Sequence, residues 1–378
     1  MTETPTSEPA DGGIILDWFI PLTGDSRTDL SQGSAMTYAG QSAAPARREP
    51  DIRYLSQIAR SVEQLGYHAV LIPTGGRSEE SWVAASSLAQ HTRDLDYLVA
   101  FRPGLMSPTL QAQVAATFQR YSGDRLRVNV VVGGDDAEQR KYGDRIGKDG
   151  RYARAAEYLD IIRRLWNGER VDVDSEFHTI EGAQIPKLDA QPEIYLGGSS
   201  DAAIDVAAEH CDVYLTWGEP PAQAGEKIAR VREAAAARGR TLRYGIRLHV
   251  IARPTSEEAW RVADDLVAGL DPEVVAKARE SFLSSGSVGQ RRQAELVDGG
   301  LRREDLEVYP GLWAGIGLVR GGAGTALVGS YAEVAALIRE YRAVGFTEFV
   351  LSGYPHLEEA YWFAEGVAPL LDLAPRRA

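Results

Sequence analysis

The segment LRVNVVVGG, residues 126–134, is a short valine-rich run that two glycines end. A segment with helical spacing, RYARAAEYLDIIRRLWNGE, follows it from residue 151. Such a short and nearly continuous apolar run is typical of a parallel strand that is buried on both faces. The segment therefore predicts one strand–helix unit of an α/β fold.

The same unit recurs along the chain. Eight candidate strands begin at Ile14, Ala69, Asp96, Leu126, Glu193, Asp212, Arg243 and Glu348. Segments with helical spacing lie between them, as in IRYLSQIARSVEQLG, where Gly66 suits the end of a helix. Eight strands that alternate with helices predict an α/β TIM (β/α)8 barrel with insertions. The alternative is an open, doubly wound sheet.

We expect one TIM-barrel domain over residues 14–378, because such barrels often use about 250 residues or more as a single unit. Residues 1–13 have no basic region and no apolar run, so they are not a signal peptide and are predicted to form a disordered tail. Two insertions interrupt the pattern. They are residues 22–50 and residues 269–330, and the second contains the glycine-rich segment LVRGGAGTALVG.

The 378-residue chain has 54 acidic and 41 basic residues and a net charge of −13. This balance argues against binding to nucleic acid or to an anionic membrane. No apolar stretch approaches the roughly 20 residues of a membrane helix. The single cysteine, Cys211, excludes an internal disulfide and is predicted to be a buried structural thiol. Together these features predict a cytoplasmic protein.

Active sites of TIM barrels lie at the C-terminal ends of the strands. Arg247 and His249 are two residues apart on one predicted strand, so their side chains point the same way. Arginine offers a planar fork to a sulfonate or carboxylate, and histidine can move a proton. Tyr354 and His356 follow the last strand, and Trp217 ends another. A single residue of these types is more often structural, but several at one rim predict a ligand site.

The motif GGSSD, residues 197–201, is predicted to begin a helix. Its glycines allow close backbone approach, and Ser199 and Ser200 are residue types that cap helices. Free N–H groups at a helix start bind phosphate, so the motif predicts either a phosphate contact or a plain cap. Asp201 is a poor neighbour for phosphate and is expected to cap the helix.

The glycine-rich segment, residues 318–329, has no Walker lysine and matches a dinucleotide fingerprint only weakly. The fingerprint requires a βαβ unit, whereas this segment lies within a long insertion. The sequence contains no HExxH, CxxC or GxSxG motif. No bound metal is therefore expected.

Six segments together resemble the reduced-flavin-dependent alkanesulfonate monooxygenases of the bacterial-luciferase-like superfamily. They are LIPTGGRSEESW (71–82), GGSSDAA (197–203), LTWGEPP (215–221), YGIRLHVIAR (244–253), LWAGIGLVRGGAGTALVG (312–329) and FVLSGYPHLEEAY (349–361). The likeness runs from about residue 14 to residue 372, which is nearly the whole chain.

The resemblance implies a two-component enzyme that uses reduced FMN supplied by a separate NAD(P)H-dependent reductase. With dioxygen it would cleave the carbon–sulfur bond of an alkanesulfonate and give an aldehyde and sulfite, as a source of sulfur. A homo-oligomer, often a tetramer, is also implied. Two alternatives remain: a related flavin monooxygenase that acts on a sugar sulfonate or on a substrate without sulfonate, and a flavin-binding protein without turnover.

Carried over to this chain, the resemblance implies three groups of site residues. The catalytic group is Arg247, His249, Tyr354, Arg320 and Ser78. The substrate-binding group is Trp217, His356 and Thr23. The cofactor-binding group is Asn129, Tyr152, Gly198, Ser199, Ser200 and Ala100. Arg320 would belong to a mobile lid in which the glycines act as hinges.

Two positions depart from the family pattern. Ser78 stands where the family usually has a cysteine, and it keeps a hydroxyl donor but no thiol. Thr23 replaces a histidine in the turn after the first strand. Both changes lie at the expected substrate entrance, so they predict a different sulfonate, including a bulkier or a sugar sulfonate.

Overall fold

The computed structural model describes residues 12–26, 30 and 48–376. This part of the chain contains thirteen strands: β1 Ile15–Phe19, β2 Ala69–Ile72, β3 Asp96–Phe101, β4 Leu126–Val130, β5 Val171–Asp174, β6 Thr179–Ala183, β7 Glu193–Leu196, β8 Val213–Trp217, β9 Arg243–Arg253, β10 Glu307–Tyr309, β11 Leu312–Trp313, β12 Ala326–Ser330 and β13 Glu348–Ser352.

Eight of these strands, β1–β4, β7–β9 and β13, form a closed parallel barrel. Each pairs in parallel with its two neighbours, and β13 closes the ring because it pairs with both β1 and β9. All eight candidate strands of the sequence analysis are present. The predicted TIM barrel is confirmed, and the open, doubly wound sheet is excluded.

The helices of the described residues surround the barrel or fold within its insertions. They are α1 Ile52–Gln64, α2 Ser81–Ala89, α3 Pro108–Ser122, α4 Asp136–Lys141, α5 Lys148–Trp166, α6 Asp201–His210, α7 Pro221–Ala236, α8 Ser256–Val267, α9 Pro272–Leu283, α10 Val288–Ala294, α11 Arg303–Leu306, α12 Tyr331–Val344 and α13 His356–Gly366. No helix in the described ranges has both the length and the apolar character that crossing a membrane requires.

Local sequence explains where several helices begin and end. The side chains of Asp51 and Ser107 accept hydrogen bonds from the first turns of α1 and α3, where backbone N–H groups otherwise lack partners. Gly66 follows the end of α1 with a φ of 91°, a left-handed conformation that glycine adopts without strain. The predicted end of this helix is therefore confirmed.

Two strands of the barrel wall are buried along their whole length. Every residue of β2 and β3 is buried, as the continuous apolar runs predicted. Cys211 is a free, fully buried thiol at the end of α6, and burial raises its pKa far above the ordinary range. The cysteine is therefore part of the packed core.

A cluster of buried charges occupies the N-terminal end of the barrel. Arg127 lies 3.5 Å from both Asp17 and Glu348, and 2.9 Å from Asp96. Asp17 and Glu348 are both 0% exposed. Burial, together with the negative charge of Asp17, raises the pKa of Glu348 to about 8. At least one of these two carboxyls therefore holds a proton near neutral pH.

The insertion at residues 269–330 is largely folded. It contains α9 to α11 and the strands β10 to β12. β12 pairs in parallel with the second half of β9, which has eleven residues and extends beyond the barrel. The glycine-rich segment was interpreted as the hinges of a mobile lid, and no strand was predicted in it, but its last residues belong to β12. The run ALVGS ends in a glycine and a serine and lies within an insertion, and burial against β9 provides the stabilisation that this local sequence does not indicate.

Two further features were not predicted. The antiparallel pair β5 and β6 forms a hairpin outside the barrel. Gly12 and Gly13, which the sequence analysis assigned to the tail, pack at the molecule's surface, where Arg342 donates a hydrogen bond to the Gly12 carbonyl (2.6 Å). The rest of the predicted tail and most of the insertion at 22–50 lie outside the described residues.

Candidate active site at the barrel mouth

Five of the predicted site residues lie together at the C-terminal end of the barrel, and none is more than 8% exposed. Tyr354 is at the centre of this cluster. Its ring stacks on His249 at 5.4 Å between centroids and meets His356 edge-on at 5.2 Å. The guanidinium of Arg320 lies 4.9 Å from the centre of the same ring. Arg247 completes the set from β9.

Arg247 is a buried cation. Its guanidinium lies 4.5 Å from the centre of the Phe19 ring, and it donates to the carbonyl of Leu248 at 2.7 Å. Among the described residues, no carboxylate forms an ion pair with it. Burial, with a smaller contribution from the charge of Arg320, lowers the pKa of Arg247 to about 9.

Arg320 is the second buried cation of the cluster. Burial lowers its pKa to about 10, although the negative charge of Asp25 opposes that shift. The charge of Arg320 lowers the pKa of Arg247, and the two buried guanidinium groups bring two positive charges to the pocket beside the single negative charge of Asp25. Such a pocket favours an anionic ligand, because an anion offsets the cost of burying both cations.

His249 has protein partners on both ring nitrogens. Nε2 lies 3.1 Å from the carbonyl oxygen of Ala323, which can only accept, so this nitrogen carries the proton. Nδ1 lies 2.7 Å from Oγ of Ser352 and therefore accepts from that hydroxyl. Burial, followed by the charges of the nearby arginines, lowers the pKa of His249 well below its ordinary range. The predicted role of His249 in proton transfer would require one of these contacts to break.

His356 differs from His249 in having one ring nitrogen without a described partner. Its Nε2 is buried, and so is the hydroxyl of Tyr354, and neither forms a hydrogen bond with any residue that the structure describes. Two unpaired polar atoms in a buried pocket are costly unless a ligand pairs with them. Both atoms are therefore candidates for direct contact with a substrate.

The sequence analysis missed Asp25, which is fully buried beneath the cluster. It accepts from the backbone N–H of His356 at 2.8 Å and lies 3.0 Å from Nδ1 of the same residue. It also accepts from the hydroxyl of Tyr54 and from the N–H of Ser26. In the sequence, Asp25 is only the acidic residue that ends the turn after β1, and its contacts with Tyr54 and His356 form between residues that are distant in the chain.

A second group of predicted residues lies at the start of α6. Ser200 is the N-cap and accepts from the N–H of Ala203 at 3.3 Å. The hydroxyl of Tyr152 interacts with Ser200, and an added Cβ on Gly198 would lie only 3.2 Å from that hydroxyl oxygen. Asp201 was expected to cap the helix, but it is the first helical residue and forms an ion pair on the surface.

Trp217 and Ser199 share a neighbour in the insertion. A Cβ on Gly289 of α10 would lie 3.3 Å from the Trp217 ring and 3.9 Å from Oγ of Ser199. The glycine thus allows α10 to approach both residues. The insertion therefore packs against one predicted substrate residue and one predicted cofactor residue.

Ala100 and Asn129 lie side by side on β3 and β4. Asn129 is two residues from Arg127, whose side chain is inside the barrel, so Asn129 points to the same interior. The carbonyl of Ala100 accepts from Oγ of Ser81 at 2.7 Å. Both predicted cofactor residues are thus placed on the barrel's inner wall near the mouth.

The remaining two predicted residues, Ser78 and Thr23, lie in the turns that follow β2 and β1. Oγ of Ser78 donates to the carbonyl of Gly75 at 3.0 Å and so closes its own turn after β2. Thr23 is half-buried in the turn that leads to Asp25. No contact among the described residues joins Ser78 to the cluster around Tyr354.

Arg102 directly follows the end of β3 and was not among the predicted site residues. It forms an ion pair with Glu138 at 2.9 Å, and its side chain is only 5% exposed. Its Nε and Nη1 atoms are buried and have no hydrogen-bond partner among the described residues. The rim therefore carries a third buried cation, with donors that a ligand can use.

The fold and this site belong to one class of barrel enzymes. A model of the luciferase-like monooxygenases matches residues 28–348, and the chain belongs to that family. The resemblance is thus confirmed at the level of the superfamily, and the alkanesulfonate specificity stays a prediction.

Solved structures share the fold at low sequence identity. A riboflavin lyase, solved with modified FMN and riboflavin, is 18% identical with a TM-score of 0.77, covering 97% of this chain and 94% of that one. An EDTA monooxygenase from Chelativorans sp. BNC1 is 18% identical with a TM-score of 0.72, covering 95% and 93%. The oxygenating constituent of 3,6-diketocamphane monooxygenase from Pseudomonas putida, in complex with FMN, is 16% identical with a TM-score of 0.64, covering 86% and 96%.

Proposed function

We propose that this protein is a reduced-FMN-dependent monooxygenase that cleaves the carbon–sulfur bond of an organosulfonate. Dioxygen would be the second substrate, and an aldehyde and sulfite the products. The observation that carries the proposal is the pair of buried cations, Arg247 and Arg320, beside the unpaired hydroxyl of Tyr354. A neutral substrate such as an alkane would gain nothing from this concentration of positive charge.

A sulfonate suits the pocket chemically. Its three oxygen atoms can accept hydrogen bonds from both guanidinium groups and from the hydroxyl of Tyr354 at once. Burial, with a smaller contribution from the charge of Arg320, lowers the pKa of Arg247 to about 9, and the single negative charge of a sulfonate would offset both effects. Binding of the anion would therefore stabilise the closed arrangement of the site.

The residues present fit a flavin that carries a phosphate. Ser199, Ser200 and Tyr152 place hydroxyl groups at the start of the ten-residue helix α6, where the helix dipole favours an anion. Asn129 and Ala100 would lie beside the rest of the cofactor on the inner wall. When bound, the reduced flavin would supply the redox chemistry with dioxygen. The two relatives solved with FMN or modified FMN support this choice of cofactor.

The chain's own residues would bind and orient the sulfonate and exclude water. Two glutamines of α10 hold the glycine-rich segment over the barrel through hydrogen bonds. Gln290 accepts from the N–H of Gly322 at 2.8 Å, and Gln293 accepts from the N–H of Gly324 at 2.9 Å. Exclusion of water strengthens the electrostatic contacts in the pocket and protects reactive species from hydrolysis.

A second candidate is a monooxygenase for a substrate that carries a carboxylate. The same arginine pair would bind a carboxylate, and a structural relative is named for EDTA, a polycarboxylate. A sugar sulfonate is a variant of the first proposal. A flavin-binding protein without turnover is disfavoured, because storage of a flavin does not require a second anion pocket.

We further propose that a separate reductase supplies the reduced flavin, that the enzyme acts in the cytoplasm, and that it assembles as a homo-oligomer. One surface of the protein is suited to self-association. A groove of about 340 Å³ between α2 and α3 has no charged residue in its lining, although the chain carries a net charge of −13. A second copy of an acidic chain can pack there without like-charge repulsion.

The decisive experiment measures sulfite release. The protein is mixed with a flavin reductase, FMN, NADPH, oxygen and a panel of alkane, aryl and sugar sulfonates, with matched carboxylates in parallel. We expect sulfite from at least one sulfonate and its loss in Arg247→Ala. Arg238→Ala is the matched control, because Arg238 pairs with Asp205 on the surface and should keep full activity. Oxidation of a carboxylate without sulfite from any sulfonate would move the assignment to the second candidate.

A further inference from the structure

The pocket contains two buried histidines that differ in how many of their ring nitrogens have a hydrogen-bond partner. The protein pairs both nitrogens of His249, with Ser352 and with the Ala323 carbonyl. It pairs only Nδ1 of His356, with Asp25 at 3.0 Å. Within the described residues, Nε2 of His356 has no partner.

The partners of Asp25 determine where the proton of His356 resides. Asp25 receives four hydrogen bonds: Oδ1 faces Nδ1 of His356 and the N–H of Ser26, and Oδ2 accepts from the N–H of His356 and from Tyr54. Burial works to raise the pKa of Asp25, but its contacts with His356 and Tyr54 outweigh burial and lower it. An ionised carboxylate has no proton to donate, so Nδ1 must carry the proton of the neutral ring.

We propose that Asp25 is a positioning residue that holds His356 in its Nδ1–H form, so that Nε2 faces the pocket as the proton acceptor of the active site. The proposal rests on the barrel mouth being the active site, as argued above. It assigns proton transfer to His356 rather than to His249, whose nitrogens are both engaged.

The charges around His356 make its basicity depend on the ligand. Burial lowers the pKa of His356, Asp25 opposes this, and Arg320 and Arg247 lower it further. Among the described residues, the other titratable groups that face it are His249, Tyr354 and, through Asp25, Tyr54. An anion bound to the arginines would cancel their effect, so the pKa of His356 would rise when the substrate is in place.

In the proposed step a proton leaves a group on the bound substrate and forms the Nε2–H bond of His356. The electron pair of the broken bond stays on the substrate. Asp25 keeps its negative charge throughout and stabilises the imidazolium that results. The step needs no further reactant, because only a proton moves.

The tautomer can be observed directly without flavin or substrate. The protein has six histidines, and long-range ¹H–¹⁵N spectra of ¹⁵N-histidine-labelled protein distinguish Nδ1–H from Nε2–H rings. His356→Gln identifies the signals of His356 by their absence. We expect the Nδ1–H form for His356 and the Nε2–H form for His249. An Nε2–H form of His356 in the unaltered protein would overturn the proposal.

Asp25→Asn provides the second arm of the test. The N–H of His356 and the hydroxyl of Tyr54 both donate to Oδ2, whereas the only backbone N–H among the described residues that donates to Oδ1 is that of Ser26, so the amide oxygen should take the Oδ2 position. The amide NH₂ then faces Nδ1, and the ring must change to its Nε2–H form. We expect this change in the spectrum and a fall in kcat of about 100-fold with little change in KM. A spectrum unchanged by the substitution would also overturn the proposal.

Glu157→Gln is the matched control. Glu157 of α5 lies 2.6 Å from Nδ1 of His178, which is in the turn between β5 and β6 outside the barrel. This variant therefore changes a carboxylate–histidine pair that is not part of the barrel mouth. We expect altered signals for His178 alone and unaltered kcat. An equal fall in kcat in both variants would contradict a specific role for Asp25.

Failure of the proposal and failure of the proposed function can be told apart. If no sulfonate is turned over, the activity arm uses whichever carboxylate is oxidised, and the tautomer of His356 is still measured. If Asp25→Asn does not fold, the spectrum of the unaltered protein decides the outcome alone. The Nδ1–H form with a normal sulfite assay supports both proposals, and the Nε2–H form with that assay rejects only this one.

Discussion

At the scale of single residues, the site contains buried polar groups that contribute little to the stability of the fold but are available to a ligand. Tyr354 contacts two histidines and an arginine through its ring, yet its hydroxyl has no described hydrogen-bond partner. A buried donor without a partner costs about 1–3 kcal/mol, so it contributes to function rather than to stability. The same reasoning applies to Nε2 of His356.

We therefore expect Tyr354→Phe to separate stability from activity. The substitution keeps the ring contacts with His249 and Arg320 and removes only the unpaired hydroxyl. The free energy of unfolding should stay within about 0.5 kcal/mol of the original value or rise, because no protein hydrogen bond is lost. Turnover should fall at least about 10-fold. Chemical denaturation and the sulfite assay measure both quantities, and a large loss of stability would show that the hydroxyl is paired within the protein.

Glu348 predicts a pH dependence of stability that originates far from the site. Its pKa is raised from 4.5 to about 8 by burial and by Asp17, so the folded protein binds a proton that the unfolded chain releases. This contribution is fully present below pH 4.5 and is lost as the pH rises to about 8. Glu348→Gln removes the titrating group, so the loss between these pH values should be smaller by at least about 1 kcal/mol. Denaturation series at pH 5, 6.5 and 8 test this, and parallel curves for the two proteins would contradict it.

At the scale of elements, the glycine-rich segment has a packing role that its sequence did not indicate. Gly317 and Gly324 approach each other so closely that a Cβ on Gly324 would lie 2.7 Å from Cα of Gly317. The N–H of Gly317 donates to the carbonyl of Gly324 at 2.9 Å. These two glycines are therefore required by contact between two backbone segments. The predicted mobility of the segment stays a prediction.

We expect Gly324→Ala to be strongly disruptive for this reason. The atoms that the new Cβ would meet belong to the backbone of Gly317 and cannot rotate away. Stability should fall by about 1–3 kcal/mol, and turnover should fall with it because the segment no longer closes over Tyr354. Gly269→Ala is the matched control in the same insertion, since nothing lies within 4 Å of its added Cβ. Equal thermal unfolding temperatures for the two variants would refute this packing argument.

The elements also show how far the sequence could be interpreted. Apolar runs with turn residues predicted all eight barrel strands, because burial on both faces leaves a strong compositional signal. β12 was missed because its stability comes from β9, a partner distant in sequence. Residues on strands, such as Arg247 and His249, were placed correctly because strand geometry fixes their direction. Asp25 was missed because its partners, Tyr54 and His356, come together only in the folded chain.

At the scale of the whole molecule, the groove between α2 and α3 is lined by uncharged residues. Tyr121 is 82% exposed, Val83 68% and Leu110 48%, and all three lie on or beside the α2–α3 groove. Large exposed apolar side chains grouped on a face are typical of contacts between subunits. The proposed homo-oligomer would bury them.

Tyr121→Glu should therefore weaken self-association. The new charge would lie in an interface between two copies of an already acidic chain, where its burial and repulsion oppose assembly. Analytical ultracentrifugation should show a smaller species for this variant than for the unaltered protein at equal concentration. Leu370→Glu, at an exposed apolar position elsewhere, should leave the mass unchanged. A monomeric unaltered protein would remove the proposed interface altogether.

The pairing of β12 with β9 joins the covering segment to the histidine beneath it. The N–H of His249 donates to the carbonyl of Thr325 at 2.9 Å, and Nε2 of the same residue donates to Ala323 two residues earlier. If the segment lifts, the imidazole loses its carbonyl acceptor and meets water at the same moment. The proton affinity of His249 then increases, so the pKa of this residue depends on whether the glycine-rich segment covers the pocket. The NMR titration of this one ring would thus report the closing equilibrium without any attached probe.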